Sequence, residues 1–232
     1  MTWLDHETPD GAEETAVTAC ALNTPGIRSG RPGLIGQVKG YGLRKEFTLL
    51  TLPKLPEGFR YRPELIGRDD EYRLIARVGE LPFREFDFHG YKGKRRVVSF
   101  GWHYDFSARH LQKADDIPDY LLALREAAAT FAGLEAEELQ HAMVTEYSPG
   151  AGIGWHRDKG VFGHVVGISL LAPCVLRLRR AVGVRKWERV NVSAEPRSAY
   201  FLSGQARSMW EHSIPQVDAL RYSITFRTLR GK

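Results

Sequence analysis

HAMVTEYSPGAGIGWHRDKGVFGHVVGISLLAPCVLRLRR, residues 141–180, is where the texture of the chain changes. Short runs of Val, Ile, Leu, Tyr and Phe are punctuated by Gly, Pro and Ser, which is how strands separated by turns read in sequence. The reading predicts strands near 142–147, 164–171 and 174–179. Extended in both directions, it adds strands near 188–192, 198–202 and 220–228 and an earlier one at 96–106. Two helices are expected upstream. One is capped by Asp69 or Asp70 and runs to about Gly79, with Tyr72, Ile75 and Val78 at helical spacing. The other spans about 118–132, opening on Pro118 and closing at Gly133. Many short strands with the helices gathered on the N-terminal side predict an α+β, mainly β chain: a β-sandwich or jelly roll backed by N-terminal helices.

The 232 residues suit one sizeable core. Residues 1–33 lack apolar periodicity, end in TPGIRSGRPG and set five acids against two arginines, so a disordered acidic leader is expected at 1–33 and a single folded domain at 34–232. No basic and apolar leader pattern and no long apolar run is present, and Cys20 and Cys174 stand far apart in unlike contexts. A cytoplasmic monomer without disulfides or membrane contact is the expectation. Residues 173–232 hold twelve Lys and Arg against four acids, a balance that suits a phosphate backbone as partner or else a solvated face.

In GWHRD, His156 and Asp158 lie two residues apart, so on extended chain both project from one face and can share an ion. A second imidazole would complete the two-histidine, one-carboxylate set that holds non-haem iron(II) with positions left open. His212, in WEHSIP, is the candidate, while His103, His110, His141 and His164 are read as structural. The segment RYSITFR, 221–227, alternates strictly: Arg221, Ser223, Thr225 and Arg227 on one face, Tyr222, Ile224 and Phe226 on the other. Two inward arginines require anions. Iron(II) with one carboxylate ligand, plus one arginine, balances a dicarboxylate such as 2-oxoglutarate, and the second arginine could steady Asp158. An outward polar stripe is the alternative. No Walker loop, HExxH, GxSxG or dinucleotide-binding glycine pattern occurs.

Taken together, Tyr147-Ser-Pro-Gly150, His156-Arg-Asp158, His212-Ser-Ile and Arg221 to Arg227 stand in the order and at the spacing of the AlkB-like family of Fe(II)/2-oxoglutarate-dependent dioxygenases, which the chain resembles over roughly residues 58–230. The resemblance implies a double-stranded β-helix, iron(II) on His156, Asp158 and His212, and 2-oxoglutarate and O2 as cosubstrates. Tyr147 and Arg221 would hold the far carboxylate, with Ser223 beside them and Arg227 near the metal end. It further implies oxidative demethylation of alkylated bases in DNA or RNA, that is, nucleic-acid repair on a single strand or a flipped base. Phe100, Trp102 and Tyr104, in RRVVSFGWHY, look like its nucleotide-recognition lid, although spacing by two fits a buried core strand equally. Thr145 and Ser223 stand where the family often has asparagine, and Gly160 where its DNA-repair members carry a base-reading acid. Base recognition therefore does not transfer. Other readings are the same chemistry on a protein side chain or small metabolite, and a non-catalytic nucleic-acid-binding module.

Overall fold

The structure, a computed structural model, describes residues 54–88, 91–105 and 110–230. The expected leader, its boundary at residue 34 and Cys20 lie outside the described residues. In chain order the elements are β1 (Phe59–Arg62), α1 (Arg68–Val78), β2 (Arg84–Phe88), β3 (Tyr91–Phe100), β4 (Trp102–Asp105), β5 (His110–Lys113), α2 (Asp119–Ala132) and a 3-10 turn at Ala136–Glu138. There follow β6 (His141–Tyr147), β7 (Ile153–His156), β8 (Phe162–Leu170), β9 (Cys174–Gly183), β10 (Lys186–Ala194), β11 (Ala199–Leu202), α3 (Gly204–Ser208), β12 (Glu211–Ile214) and β13 (Arg221–Leu229).

Seven strands form one antiparallel sheet in the order β1-β11-β8-β13-β6-β3-β2, and four form a second, β10-β9-β12-β7. Sequence neighbours are thus dealt to different sheets, as in the expected jelly roll. Strand β13 shows how the sequence fixes the layers. Tyr222, Ile224 and Phe226 join the apolar cluster that packs Leu74 and Val78 of α1 and Leu121, Leu124 and Ala128 of α2 onto the large sheet. A second cluster, including Leu176, Leu178, Val190, Ile214 and Trp210, fills the space on the four-stranded sheet's side. Arg221, Ser223, Thr225 and Arg227 take the opposite face of β13 from the helices and are also buried. Each large apolar side chain so covered contributes about 1.5–3 kcal/mol over its exposed state.

The helices depart from expectation in detail. Helix α1 is capped by the backbone of Gly67, with Asp69, Asp70 and Glu71 inside its first turn, where they complement the helix dipole instead of capping. Its buried residues are Glu71, Leu74 and Val78, whereas Tyr72 is 78% exposed. Glu71 accepts hydrogen bonds from the Leu171 amide (2.9 Å) and from Arg197 (3.0 Å), tying the helix to two turns of the sheet.

The strand expected at 96–106 is two strands, because Gly101 adopts φ +73° between β3 and β4. A Cβ there would lie 2.1 Å from the Gln140 carbonyl oxygen. Gly101→Ala combines that clash with a left-handed backbone, which by itself costs about 1–3 kcal/mol. A thermal midpoint lowered by at least about 3 °C is expected; an unchanged midpoint in a calorimetric scan would remove the strain argument.

Candidate active site

The two histidines are brought together by sheet pairing. β7 and β12 are antiparallel neighbours in which His156 and His212 stand opposite each other, with ring centroids 4.2 Å apart. Nδ1 of His156 donates to the Gly154 carbonyl at 2.9 Å, since a carbonyl can only accept, and this fixes the tautomer whose Nε2 carries the lone pair. Asp158 lies past the end of β7, so strand alternation is not what places it. Arg227 does: its Nε and Nη2 both reach Oδ1 at 2.8 Å, and its Nη1 lies 3.3 Å from Nδ1 of His141. The other oxygen, Oδ2, is buried with no hydrogen-bond partner and lies 3.6 Å from Nε2 of His212.

Protonation follows from this packing. Burial alone would raise the Asp158 carboxyl, but Arg227 foremost, then His212 and His156, hold it well below the usual carboxylate range. Burial, then the neighbouring His156, pushes His212 down to about 3, and burial also lowers His156. At neutral pH the cluster is one carboxylate and two neutral imidazoles, the donor set a divalent cation takes. Among the described residues no three His, Cys, Asp or Glu side chains are closed around a common point; the cluster is an adjacent histidine pair with a carboxylate oxygen turned toward it.

At the other end of β13, Arg221 faces Tyr147 across the ladder, its guanidinium 4.8 Å from the ring centroid. Nη2 donates to the Ser169 hydroxyl at 3.0 Å, while Nε and Nη1 are buried without a partner in a residue 2% exposed. Donors on a permanent cation are not left so in a folded interior unless an anion meets them. The orphaned carboxylate oxygen and the orphaned guanidinium nitrogens therefore fit a cation and an anionic chelator between them. Ser223 stands directly opposite Thr145, both buried, so the two positions where an amide was expected form one cross-strand pair of hydroxyls.

The expected lid divides. Phe100 is 7% exposed in the core under the helices, which corrects its assignment to a substrate surface: Gly101 ends the strand, and Phe100 stays on the helix side. Trp102 and Tyr104 belong to the separate β4–β5 hairpin and are only half-buried. Tyr104 lies 5.6 Å from the ammonium of Lys159, next to Asp158, which sets the hairpin beside the loop that carries Asp158. Gly160 is exposed, with nothing within 4 Å of where a side chain would start.

The sequence reading gave Arg95 and Arg207 no place beside the metal ligands and left His141 as structural. Arg95 on β3 is buried, and burial first, then the nearby Arg227, lowers its pKa despite Tyr147. His141 packs at a tilt against Phe162, ring centroids 4.7 Å apart, and meets Arg227. Arg207 donates to the carbonyls of Lys159, Phe162 and Gly163 at 2.7–2.8 Å, pinning the loop that carries Asp158. No charge count distinguishes such an arginine from a surface one.

Residues 80–227 match the model of the 2OG-Fe(II) oxygenase superfamily. The chain is 25% identical over 247 residues to an Arabidopsis thaliana alkylated DNA repair protein ALKBH8 homolog, covering 87% of this chain and 68% of that one. It is 24% identical over 192 residues to the mouse tRNA (carboxymethyluridine(34)-5-O)-methyltransferase ALKBH8, covering 76% of this chain but only 27% of the longer relative. The solved structure of OsALKBH1 superposes with TM-score 0.55 at 19% identity, over 75% of this chain and 98% of that one. A Pseudomonas putida prolyl-4-hydroxylase does so with TM-score 0.50 at 16% identity, over 75% and 94%.

Proposed function

Because the chain belongs to the 2OG-Fe(II) oxygenase superfamily, AlkB-like branch, and is an iron(II)- and 2-oxoglutarate-dependent dioxygenase, we propose that it oxidises modified bases of nucleic acid, by demethylation in a repair role or by hydroxylation of a base substituent, in the cytoplasm. One observation carries the cosubstrate half: the buried, partnerless Oδ2 of Asp158 beside two neutral imidazoles, with a buried and half-satisfied Arg221 on the same wall. The nucleic-acid half is supported by the relatives, whose names concern alkylated DNA and a tRNA uridine, and by the half-exposed Trp102 and Tyr104 on the hairpin beside the Asp158 loop.

His156, Asp158 and His212 would hold the iron, and Tyr147, Arg221 and Ser223 the distal end of 2-oxoglutarate. When bound, the pair supplies oxidation of an unactivated C–H bond at the expense of O2 and 2-oxoglutarate, which leaves as succinate and CO2. The chain's own residues prepare that site. Arg227 fixes the rotamer of Asp158 and keeps it ionised. Gly154 locks the His156 tautomer. Arg207 holds the loop between Asp158 and β8, and the apolar cluster around Trp210 and Leu178 keeps bulk water from the inner wall. Trp102 and Tyr104 would stack a base, for about 1–3 kcal/mol each.

The test is anaerobic loading with iron(II) and 2-oxoglutarate, then oxygen, with oligonucleotides carrying N-methylated bases or 5-carboxymethyluridine and its ester. Succinate rising with one of them is expected; formaldehyde release separates demethylation from stable hydroxylation. Succinate that no nucleic acid stimulates, but a peptide or metabolite does, would replace the substrate class. In the same assay Trp102→Ala is expected to stay folded, weaken oligonucleotide affinity roughly tenfold, and leave substrate-independent succinate formation unchanged. Unfolding would make Trp102 a core residue.

A further inference from the structure

The sheet that carries the two histidines has a second face. Leu176 and Leu178 of β9, Val190 of β10 and Ile214 of β12 point into the core, so their alternating neighbours, Arg177, Arg179, Arg189 and Glu211, lie on the outside. Trp155, next to His156 on β7, and Trp187 on β10 complete a ladder across the sheet: Arg177 lies 5.1 Å from the Trp155 ring, Arg179 lies 4.3 Å from Trp155 and 4.1 Å from Trp187. The ladder covers Ser213, which accepts from Arg177 at 3.0 Å and is fully buried. Beyond it the β9–β10 turn projects Val184, 96% exposed, with Arg185 and Lys186 beside it, both exposed.

Five cations on this face and turn meet one carboxylate, Glu211, which pairs with Arg179 at 2.7 Å. Arg177, Arg185, Lys186 and Arg189 form no ion pair among the described residues. A ladder needed only for cohesion would be neutralised like the opposite face of the same two strands, where Arg180 pairs with Glu188 at 2.6 Å. Arg179 lies between two indoles and Arg177 beside one of them, guanidinium groups are suited to phosphate oxygens, and cations interleaved with aromatics are how proteins track a single strand. We infer that the outer face of the four-stranded sheet, from the β9–β10 turn across the Trp155–Arg179–Trp187 ladder, is a second binding surface for the phosphate backbone of single-stranded nucleic acid, delivering the strand over the β7 edge to the active site. The inference rests on the nucleic-acid reading for its purpose, and on unpaired charge for its existence.

The test uses the full chain loaded with iron and the exposed triple variant Arg185→Asn/Lys186→Gln/Arg189→Gln, with asparagine at 185 because that residue has φ +55°. Affinity for an unmodified single-stranded 20-mer is read by anisotropy across a salt series. The variant should bind about tenfold more weakly, with a log–log salt slope reduced by roughly 2, since each phosphate contact contributes ~0.7 for single strands. Oxidation of a modified dinucleotide, too short to reach the turn, should keep its wild-type kcat, while KM for the modified 20-mer rises about tenfold. Unchanged affinity and KM for the 20-mer overturn the inference and leave base oxidation intact. Salt-sensitive 20-mer binding that the variant loses, with no nucleotide oxidised, supports this face and overturns the base-oxidation reading instead. Competition by poly-glutamate as strong as by RNA at equal charge also overturns the inference, marking an acidic protein as the partner.

Discussion

Asp158→Asn is expected to reduce 2-oxoglutarate turnover at least about 100-fold, the upper end of the loss seen when only the outer contacts of a metal site are disturbed, while the chain stays folded. The amide keeps the shape of the carboxylate, so an oxygen can still face Arg227, but it removes the charge that the two imidazoles and the ion share. Asp158→Ala is the poorer probe. It strands Arg227 in the interior, and breaking a buried pair from one side costs about 3–5 kcal/mol, so lost activity could reflect lost fold. His156→Ala and His212→Ala should match Asp158→Asn in turnover, with iron affinity reduced in each. Near-normal succinate formation and iron affinity in any one of the three would show that the residue is not a ligand.

The second large effect is expected at Arg221. Nothing else on the described inner wall offers a buried guanidinium with two partnerless nitrogens, so Arg221→Ala should raise the 2-oxoglutarate KM about 100-fold, within the 2–5 kcal/mol that truncating a buried charge pair costs. Iron affinity should be unchanged. Arg221→Lys keeps the charge but loses the planar fork and should recover only part of the loss. Equal 2-oxoglutarate affinity in wild type and Arg221→Ala would assign the anion to another cation, with Arg95 the first to examine.

The inner wall was legible in sequence because a strand's period of two survives even when both of its faces are buried. RYSITFR shows apolar residues to the helices and charge to the interior, and β13 sits that way. What nonlocal pairing decides was not legible. IGWH and EHSI are too short and too mixed to read as strands, yet their register is what places His156 against His212. Asp158 reached its position for a reason other than the one spacing suggested, through Arg227 and not through alternation. Alternation also ran falsely through Phe100, Trp102 and Tyr104, because a single left-handed glycine resets it. The basic C-terminal quarter likewise mixed unlike residues: Arg207, Arg221 and Arg227 are interior, Arg179, Arg180 and Arg197 are ion-paired, and the other cations of β9 and β10 form no ion pair among the described residues.

Strand β13 is bonded along both edges, to β6 and to β8, and carries Arg221 and Arg227 on one wall. Inserting or deleting one residue between them would turn one arginine into the apolar layer under the helices. The separation between Arg221 and the arginine that holds Asp158 therefore cannot be tuned by single-residue steps without turning one of them out of the wall. The β4–β5 hairpin is a separate two-stranded unit and carries no such restriction. A change of length there would leave the spacing of Arg221 and Arg227 untouched, so the hairpin can be rewritten without resetting the interval on β13.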